Sequence, residues 1–449
     1  MSTIEKHDMT QGKILLPLVS FTIPLVLGNL FQLTYNAADS VIVGKYVGEQ
    51  ALAAVGPSTP IMNIAILLIS GMCMGASVLM SSQYGAKDYD TLSRQISTTM
   101  LAGCGFSVVF SLLMLLLANP VLRLIRVPET AIPEAAAYLR IIFMGLIFTF
   151  MYNFLANTMR ALGDSKTPLY FLVTSAFLNI FGDLFFVVVL RWGVAGSAIA
   201  TVCSEGLCCL LCGIYIKKNI PLLCLGKKWW VFDKSLLGKT VSYGSTSAMQ
   251  QVCLQLGKLI IQSVVNTQGV AVMAAFTAVN RVDDFAYTPQ QNIGHAMTTF
   301  LAQNKGAGHK ERMKKGFQTG LLIELVYSIG LFCVIWGLAP QIMTLFAEDG
   351  DAQVVSLGIS YLHLISWMYI LPGLTNGVQG FFRGIGDLKV TLYSTFMNMF
   401  GRVVAVFVMI RLLQMEFASL AWANMVGWIV MLLFEVPLLV KSMRNGECG

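Results

Sequence analysis

The sequence predicts an all-α membrane protein with twelve transmembrane helices, arranged as two pseudo-symmetric six-helix bundles that are parallel repeats. Three observations predict this fold class: an apolar composition, twelve long apolar stretches and an internal repeat. Of the 449 residues, 56% are hydrophobic and only 12% are charged, whereas an ordinary soluble protein has roughly 25% charged residues. The composition therefore excludes soluble domains and a disordered chain, and it argues against a nucleic-acid-binding protein despite the net charge of +7.

The twelve apolar stretches are each long enough to cross a bilayer, which requires about 20 mainly apolar residues. No small-residue cleavage site follows the first stretch, so we expect a retained helix and not a signal peptide. The stretches are predicted at 14–43, 50–82, 91–118, 132–158, 168–190, 194–216, 236–266, 269–302, 317–339, 353–378, 390–411 and 416–440.

The internal repeat relates the two halves of the chain. Residues 160–170 align with 383–393, at an offset of 223 and with identical residues at six of eleven positions. Shorter matches relate 48–56 to 269–277 and 179–183 to 398–402. Six spans per half keep both halves in the same orientation, which predicts parallel repeats with a binding site near their interface. The predicted domains are an N-terminal bundle at 1–217, a cytoplasmic linker at 218–235 and a C-terminal bundle at 236–449.

The distribution of Lys and Arg predicts how the chain is oriented. These residues concentrate in the termini and in alternate loops, and cytoplasmic loops carry the excess of basic residues. We therefore expect a multi-pass protein of the cell membrane with both termini in the cytoplasm. The ten cysteines fall mostly within spans, where a thiol acts as a small apolar residue, so no disulfide framework is expected.

Polar residues inside the first-half spans predict an ion site. Asn36 and Asp39 lie on one face of span 1, and Asn179 and Asp183 are one turn apart on span 5. With about 1.5 Å of rise per residue, these residues and Thr201 on span 6 fall at one depth in the outer half. Such oxygens suit a monovalent cation, or a carboxyl pair that holds a proton. The alternative is that the two acids face water at the helix ends.

The second half does not repeat this set of acids, because Arg402 stands at the position of Asp183. Spans 7 and 8 instead carry polar residues that include Gln255, Asp284 and Tyr287. They predict either a hydrated, substrate-lined wall or interhelical hydrogen bonds.

Enzyme motifs are missing from the sequence. It contains no complete phosphate-binding loop, no HExxH zinc motif and no GxSxG nucleophile elbow. We therefore expect neither an enzyme nor a structural metal site, and no cofactor beyond a transported Na⁺ or H⁺.

Twelve spans, duplicated Gly-Asp-Lys loops and a first-half acid cluster make the sequence resemble the multidrug and toxic compound extrusion (MATE) family, in a prokaryotic form. The resemblance covers essentially the whole chain. It implies a first-half cation site and a substrate cavity. The implied cation ligands are Asp39, Tyr138, Asn179, Asp183 and Thr201, and the implied cavity residues are Gln32, Tyr35, Asn153 and Asn157.

The function expected from these features is secondary active export of amphipathic organic cations and drugs, by H⁺ or Na⁺ antiport with alternating access. The expected partners are such drugs and membrane lipid, without nucleic acid, and the chain is expected to be a monomer. The sequence leaves the coupling ion open, because carboxylates bind both ions. The alternative is a flippase for a lipid-linked precursor, whose cavity should be strongly cationic, whereas the spans contain only Lys258, Arg281, Arg402 and Arg140. A membrane-embedded enzyme would need an acid-rich metal motif, which is missing.

Overall fold

The computed structural model describes most of the chain. The described residues are 8–47, 49–125, 127–220, 230–346, 352–413, 417 and 419–445. The side chains at 36–41, 43, 44, 49–57, 59, 60, 346, 411, 412 and 419 lie outside this description, although their backbones belong to helices.

The described ranges fold into fourteen α-helices and contain no strand. In chain order they are α1 (Leu15–Tyr46), α2 (Glu49–Gly85), α3 (Tyr89–Leu124), α4 (Ile132–Met144), α5 (Leu146–Ala161), α6 (Lys166–Asp183), α7 (Gly193–Asn219), α8 (Lys234–Val265), α9 (Val270–Gly306), α10 (Lys310–Phe346), α11 (Ala352–Ser366), α12 (Ile370–Ile385), α13 (Leu388–Phe407) and α14 (Ser419–Arg444).

Two pairs of these helices are single spans with an internal break, which reconciles fourteen helices with the predicted twelve spans. The axes of α4 and α5 are bent by 45° where they meet, and α11 and α12 are joined by a 3₁₀ turn, Trp367–Tyr369. Within the described residues, nine spans are long and apolar enough to cross a membrane, and the bent pair gives a tenth. The remaining two, α8 and α9, are as long but carry charged residues in their middle.

The predicted repeat is present in the helices themselves. Helices α1 and α8 both have 32 residues, and α2 and α9 both have 37. Both α6 and α13 continue into a short π-helical segment, Leu184–Val189 and Val408–Leu412. Twelve spans in two repeats are therefore the architecture of this chain.

The duplicated Gly-Asp loops end α5 and α12 in the same way. Gly163 and Gly386 have φ angles of +90° and +86°, a left-handed conformation that glycine adopts without steric cost. In the first copy, Asp164 Oδ1 then accepts hydrogen bonds from the backbone N–H groups of Lys166 and Thr167, both at 3.0 Å. Those bonds satisfy donors at the start of α6.

An aspartate also begins α3. Asp88 Oδ1 accepts a hydrogen bond from the backbone N–H of Thr91 at 3.1 Å. Hydrogen bonds from the Thr91 hydroxyl and from this N–H lower the pKa of Asp88 below its usual value.

The chain divides into two compact units, each with its own core. The first unit consists of 1–8 and 23–248, and the second of 9–22 and 249–449. Helices α1 and α8 thus each contribute to both units. The first core includes Ile96 and Phe143, and the second includes Ile365 and Tyr369. The domain boundaries at 217 and 236 stay a prediction, and residues 221–229 of the predicted linker lie outside the described ranges.

The segments that lead into α1 and α8 are each tied down within one unit. In the second unit, Arg312 on α10 donates hydrogen bonds to the backbone carbonyls of Met9 at 3.0 Å, Gln11 at 2.7 Å and Gly12 at 2.7 Å. In the first unit, Val231 N and Asp233 N donate to hydroxyls of α3, and Asp233 also pairs with Arg94.

Large apolar side chains cover the outer surfaces of the helices. Leu116 on α3 is 78% exposed and Leu433 on α14 is 71% exposed. Contiguous exposed leucine of this kind is expected where lipid tails are the solvent.

A close approach between the backbones of α2 and α8 in the first unit depends on two glycines. A Cβ at Gly75 would lie 2.5 Å from the backbone of Tyr243, and one at Gly71 would lie 2.6 Å from Ala248 Cα. Small residues one turn apart permit this approach between membrane helices.

We expect Gly75→Leu to destabilise the protein by roughly 1–3 kcal/mol through overpacking. Thermal unfolding in detergent measures this, with Gly105→Leu as the control because nothing lies within 4 Å of a Cβ there. Equal melting temperatures for the two variants would contradict this packing.

The contacts of Arg312 predict how firmly the N-terminal segment is held. Replacing Arg312 with Gln removes charge-assisted bonds to three carbonyls, so local opening of residues 9–12 should rise about tenfold. Hydrogen exchange followed by mass spectrometry measures this opening. Lys314→Gln is the control, since Lys314 is exposed and lies two residues further along α10, on another side of the helix. Unchanged exchange in Arg312→Gln would show that other contacts hold the segment.

Candidate functional site

The predicted first-half ion site lies where α6 packs against α7. Asn179 and Asp183 are one turn apart on α6 and are 4% and 0% exposed. Asn179 Nδ2 donates a hydrogen bond of 3.2 Å to Thr201 Oγ1 on α7. Thr201 in turn donates to the backbone carbonyl of Ser197 at 3.1 Å. The structure thus brings three of the predicted ligands to one buried helix interface.

Local geometry explains why the two helices meet so closely here. A Cβ at Gly182 would lie 2.9 Å from Ala200 Cβ, and one at Gly196 would lie 3.1 Å from the backbone of Phe186. Each of these small residues is a neighbour of a site residue or lies about one turn from one. Directly after Asp183 the helix continues as the π-helical segment, a departure from α geometry that is frequent at functional sites.

Tyr138 on α4 reaches the same helix α7. Its ring is buried in a cluster with Val194 and Ala198, about one turn from Thr201. Its hydroxyl donates to Met62 Sδ at 3.8 Å. Tyr138 therefore packs beside the Asn179–Thr201 contact.

The two predicted ligands on α1 are only partly covered by the structure. Asn36 and Asp39 belong to α1, but their side chains lie outside the described residues. Their role in the ion site remains a prediction from the sequence.

The predicted cavity residues of the first unit differ in their surroundings. Gln32 is exposed and Tyr35 is half-buried. Asn153 Nδ2 and Asn157 Nδ2 donate to backbone carbonyls one turn earlier on α5, at 2.9 Å and 2.8 Å. Their amide donors are therefore engaged within the helix.

A second acid of the first unit was not among the predicted ligands. Glu205 lies one turn after Thr201 on α7, and its Oε2 accepts a hydrogen bond of 2.5 Å from Thr149 Oγ1. The i, i+4 spacing of Thr201 and Glu205 was the available signal in the sequence. Thr149 also supplies the carbonyl that Asn153 bonds, so polar groups continue from Glu205 along α5.

In the second unit the structure separates two neighbouring acids. Asp284, the predicted cavity residue, is exposed and pairs with Lys258 at 3.3 Å. Asp283 is buried, and it accepts hydrogen bonds from Tyr369 at 2.5 Å and from Tyr361 at 3.2 Å. Neither Asp283 nor the two tyrosines was predicted as a site residue.

The other two predicted cavity residues of the second unit flank this region. Tyr287 stacks against Tyr369 and Trp428, with ring centroids 5.4 Å and 5.9 Å apart, and its hydroxyl has no hydrogen-bond partner among the described residues. Gln255 on α8 is half-buried.

The Asp283 cluster is the second-half counterpart of the first-half site. Tyr361 stands at the repeat position of Tyr138, with the same offset of 223 as residues 160–170. Asp283 stands at the position of Met62, the residue that Tyr138 contacts. Both repeats thus contain the tyrosine contact, but the partner of the tyrosine is a thioether in the first repeat and a carboxylate in the second.

Two further polar side chains interact with this cluster. Asn424 on α14 donates from Nδ2 to Tyr361 Oη at 2.8 Å. Arg402, at the position of Asp183, interacts electrostatically with Asp283. The second unit therefore holds an acid and a cation of its own chain where the first unit holds Asp183.

No group of three or more His, Cys, Asp or Glu side chains in the described part of the chain is arranged to hold a metal ion. The polar sites consist of isolated carboxylates with hydroxyl and amide neighbours.

Comparison with known proteins places the chain in a family. The MatE family model matches residues 24–185 and 247–409, one match in each repeat. The Bacillus subtilis (strain 168) protein named probable multidrug resistance protein YpnP is 31% identical over 391 residues, which cover 87% of this chain and 86% of the relative. Probable multidrug resistance protein YoeA of the same organism is 29% identical over 389 residues, with 85% and 82% covered.

Solved structures share the fold. The outward-facing structure of a multidrug resistance MATE family transporter of the MOP superfamily has a TM-score of 0.91 at 21% identity, with 99% of each chain covered. Together with the apolar helices, these matches identify a multi-pass membrane protein whose relatives are named as transporters. The chain belongs to the MatE family, the multidrug and toxic compound extrusion transporters that its sequence resembles.

Proposed function

We propose that this chain exports drugs and toxic organic cations by antiport, with the coupling cation bound in the first unit at Asp183. The observation that carries the proposal is the buried acid next to the Asn179–Thr201 hydrogen bond. A buried carboxylate is costly within a membrane, and such residues typically mark ion pathways. The proposed ligands also include Asp39 and Tyr138.

The driving force is sufficient for such coupling. One elementary charge that crosses a potential of 100 mV provides about 2.3 kcal/mol. A hundredfold gradient of an uncharged solute requires roughly 2.7 kcal/mol, since each tenfold step corresponds to about 1.4 kcal/mol. One cation per transported molecule therefore supports accumulation of that order for an uncharged drug. One-for-one exchange with an organic cation moves no net charge, so there the ion gradient itself provides the driving force.

The substrate class is inferred from the relatives and from half-buried residues of each unit. The relatives are named multidrug resistance proteins. Tyr35, Asn153 and Asn157 in the first unit, and separately Gln255 and Tyr287 in the second, offer aromatic faces and amides. Aromatic and apolar walls with a small number of polar groups suit bulky amphipathic ligands. We propose a monomer in the cell membrane, with lipid around it, with both termini in the cytoplasm, and without nucleic acid as a partner.

The charges of the second unit favour export of organic cations over flipping of a lipid-linked pyrophosphate. A pyrophosphate site needs cations that are free to bind it. Lys258 is paired with Asp284, and Arg402 interacts with Asp283. Lys258 is thus engaged in an ion pair, and Arg402 has an acid of the same chain in its surroundings.

The proposed coupling acid is tested by neutral substitution. Asp183→Asn and Asp39→Asn should each reduce ion-driven efflux from vesicles to the level of empty vesicles, because Asn cannot exchange a charge. Dye efflux is measured with an imposed sodium gradient at constant pH, and separately with a pH gradient without sodium. The gradient that drives the wild-type protein identifies the ion.

Glu134→Gln serves as the control for this test, since Glu134 is an exposed carboxylate in the first turn of α4. It should transport at the wild-type rate. Full ion-driven efflux by Asp183→Asn and Asp39→Asn, at equal amounts of folded protein, would refute the assignment.

The internal pairing of Asp283 predicts a different outcome in the second unit. Asp283→Asn leaves Arg402 without its acid and weakens the bonds from two tyrosines. It should lower stability by roughly 1–3 kcal/mol, and it should keep ion-driven efflux per folded molecule. Thermal unfolding and vesicle efflux measure these two effects separately. Loss of coupling without loss of stability would move the ion site to the second unit.

A further inference from the structure

A buried glutamate in the second unit has no partner for its charge. Glu324 lies in the middle of α10 and is 1% exposed. Neither of its carboxylate oxygens has a hydrogen-bond partner among the described residues, and none of the ion pairs found there includes it. Its position has no part in the proposed coupling site of the first unit.

The adjacent glutamine adds a third acceptor without a donor. Gln290 on α9 is 0% exposed, and its Nε2 donates to the backbone carbonyl of Tyr369 at 2.8 Å and to Ser328 Oγ at 3.1 Å. Because the carbonyl can only accept, it fixes the orientation of the amide. Gln290 Oε1 is consequently left with no donor in the described structure.

These groups converge on one glycine of α12. A Cβ at Gly373 would lie 2.9 Å from Ser328 Oγ, 3.2 Å from Gln290 Nε2 and 3.4 Å from Glu324 Oε2. The missing side chain at Gly373 therefore lets three polar side chains share one buried pocket. The hydroxyl of Ser328 is already used, since it donates to the carbonyl of Glu324 at 2.7 Å.

The other buried acids of the second unit are compensated, which makes Glu324 different. Asp283 accepts bonds from two tyrosine hydroxyls and interacts with Arg402. Glu435 on α14 is also 0% exposed, and neither of its carboxylate oxygens has a hydrogen-bond partner among the described residues, but it has a long-range attraction to the buried Arg383. No Lys or Arg side chain among the described residues compensates the charge of Glu324 in this way.

Titratable groups that face Glu324 are also engaged elsewhere. Tyr327, its neighbour on α10, donates its hydroxyl to the carbonyl of Ala286 at 3.1 Å. Tyr369, whose carbonyl holds Gln290, donates its own hydroxyl to Asp283. From α9 and α12, the facing groups are the neutral Gln290 and Gly373.

We propose that Glu324 is a proton-binding site in the second unit, where the bound proton neutralises the carboxyl group and Gln290 Oε1 is available to accept its hydrogen bond. A proton removes the cost of an unpaired buried charge. A metal cation would need several oxygen ligands in place of its water, and only three unengaged oxygens are present. Release of the proton requires water to enter between α9, α10 and α12, so its exchange accompanies opening of this pocket. Any link between that opening and export rests on the proposed function.

Infrared spectroscopy of the purified, substrate-free protein in lipid nanodiscs tests the site. The protonated-carboxyl band should be present at neutral pH, lose intensity at alkaline pH and decrease by one group in Glu324→Gln. Glu324→Gln matches the neutral form in shape and is expected to fold. If it does not, Glu324→Asp should retain the band with a displaced titration midpoint.

Glu435→Gln is the matched control, because it removes an equally buried acid of another helix, which is attracted by Arg383. The band component that Glu324→Gln removes should remain in Glu435→Gln and titrate as in the wild type. A band that is missing from the wild type, that has the same intensity in Glu324→Gln, or that does not change with pH would overturn the proposal. A band lost only when sodium replaces choline would assign a metal cation and overturn it as well.

The infrared titration uses neither a substrate nor an ion gradient. Its failure would therefore leave the Asp183 assignment intact, and failure of the efflux test would leave the Glu324 site intact. The two proposals can be refuted separately.

Discussion

The constraint on which the functional part of this structure depends is the cost of an ionisable group inside the membrane. On insertion scales that cost is roughly 2.5–3.5 kcal/mol for an acid at the bilayer centre, so each buried carboxylate requires compensation. The protein uses several forms of compensation. Thr149 donates to Glu205, two tyrosines donate to Asp283, and Arg383 provides a charge for Glu435.

These forms of compensation explain how one duplicated scaffold can hold two different sites. The helices, the breaks in the fourth and tenth spans and the π-helical segments are alike in both halves. The tyrosine contact between Tyr138 and Met62 recurs between Tyr361 and Asp283. Two positions change in charge: Met62 of the first half is replaced by Asp283, and Asp183 is replaced by Arg402. The second unit therefore carries an acid and a cation where the first unit carries a single acid.

The sequence predicted most of the fold because its signals are periodic and long. Twelve apolar stretches, the repeat and the Gly-Asp loops all correspond to observed helices and turns. The breaks within two spans were not predicted, since apolar residues continue across Gly145 and Trp367–Tyr369 without a change in hydropathy. A local change in helix direction at those points is decided by tertiary packing, which composition does not encode.

The sequence predicted those residues of the candidate site whose spacing along one helix is sufficient to place them on a common face. Asn179 and Asp183 share a face through their i, i+4 spacing, and helix depth placed Thr201 beside them, as the hydrogen bond of 3.2 Å shows. Asp283 and Asp284 differ by one position, which is about 100° around a helix, so the pattern alone could not decide which acid is buried. The sequence favoured Asp284, whereas the structure buries Asp283.

Whether the charge of an acid is neutralised within the chain also determines how a substitution of that acid affects transport. An acid that is paired within the chain keeps the same charge in every state of the pair, so it stabilises a unit without responding to an external ion. An acid whose oxygens face only hydroxyl and amide groups has a free energy that depends on whether a cation is bound. A ligand shifts a conformational equilibrium only if it binds the two conformations with different free energies. Ion coupling therefore requires an acid that is not already neutralised by a Lys or Arg of the same chain. At the repeat position of Asp183 the second half has Arg402, so the two halves cannot bind a cation at this position in the same way.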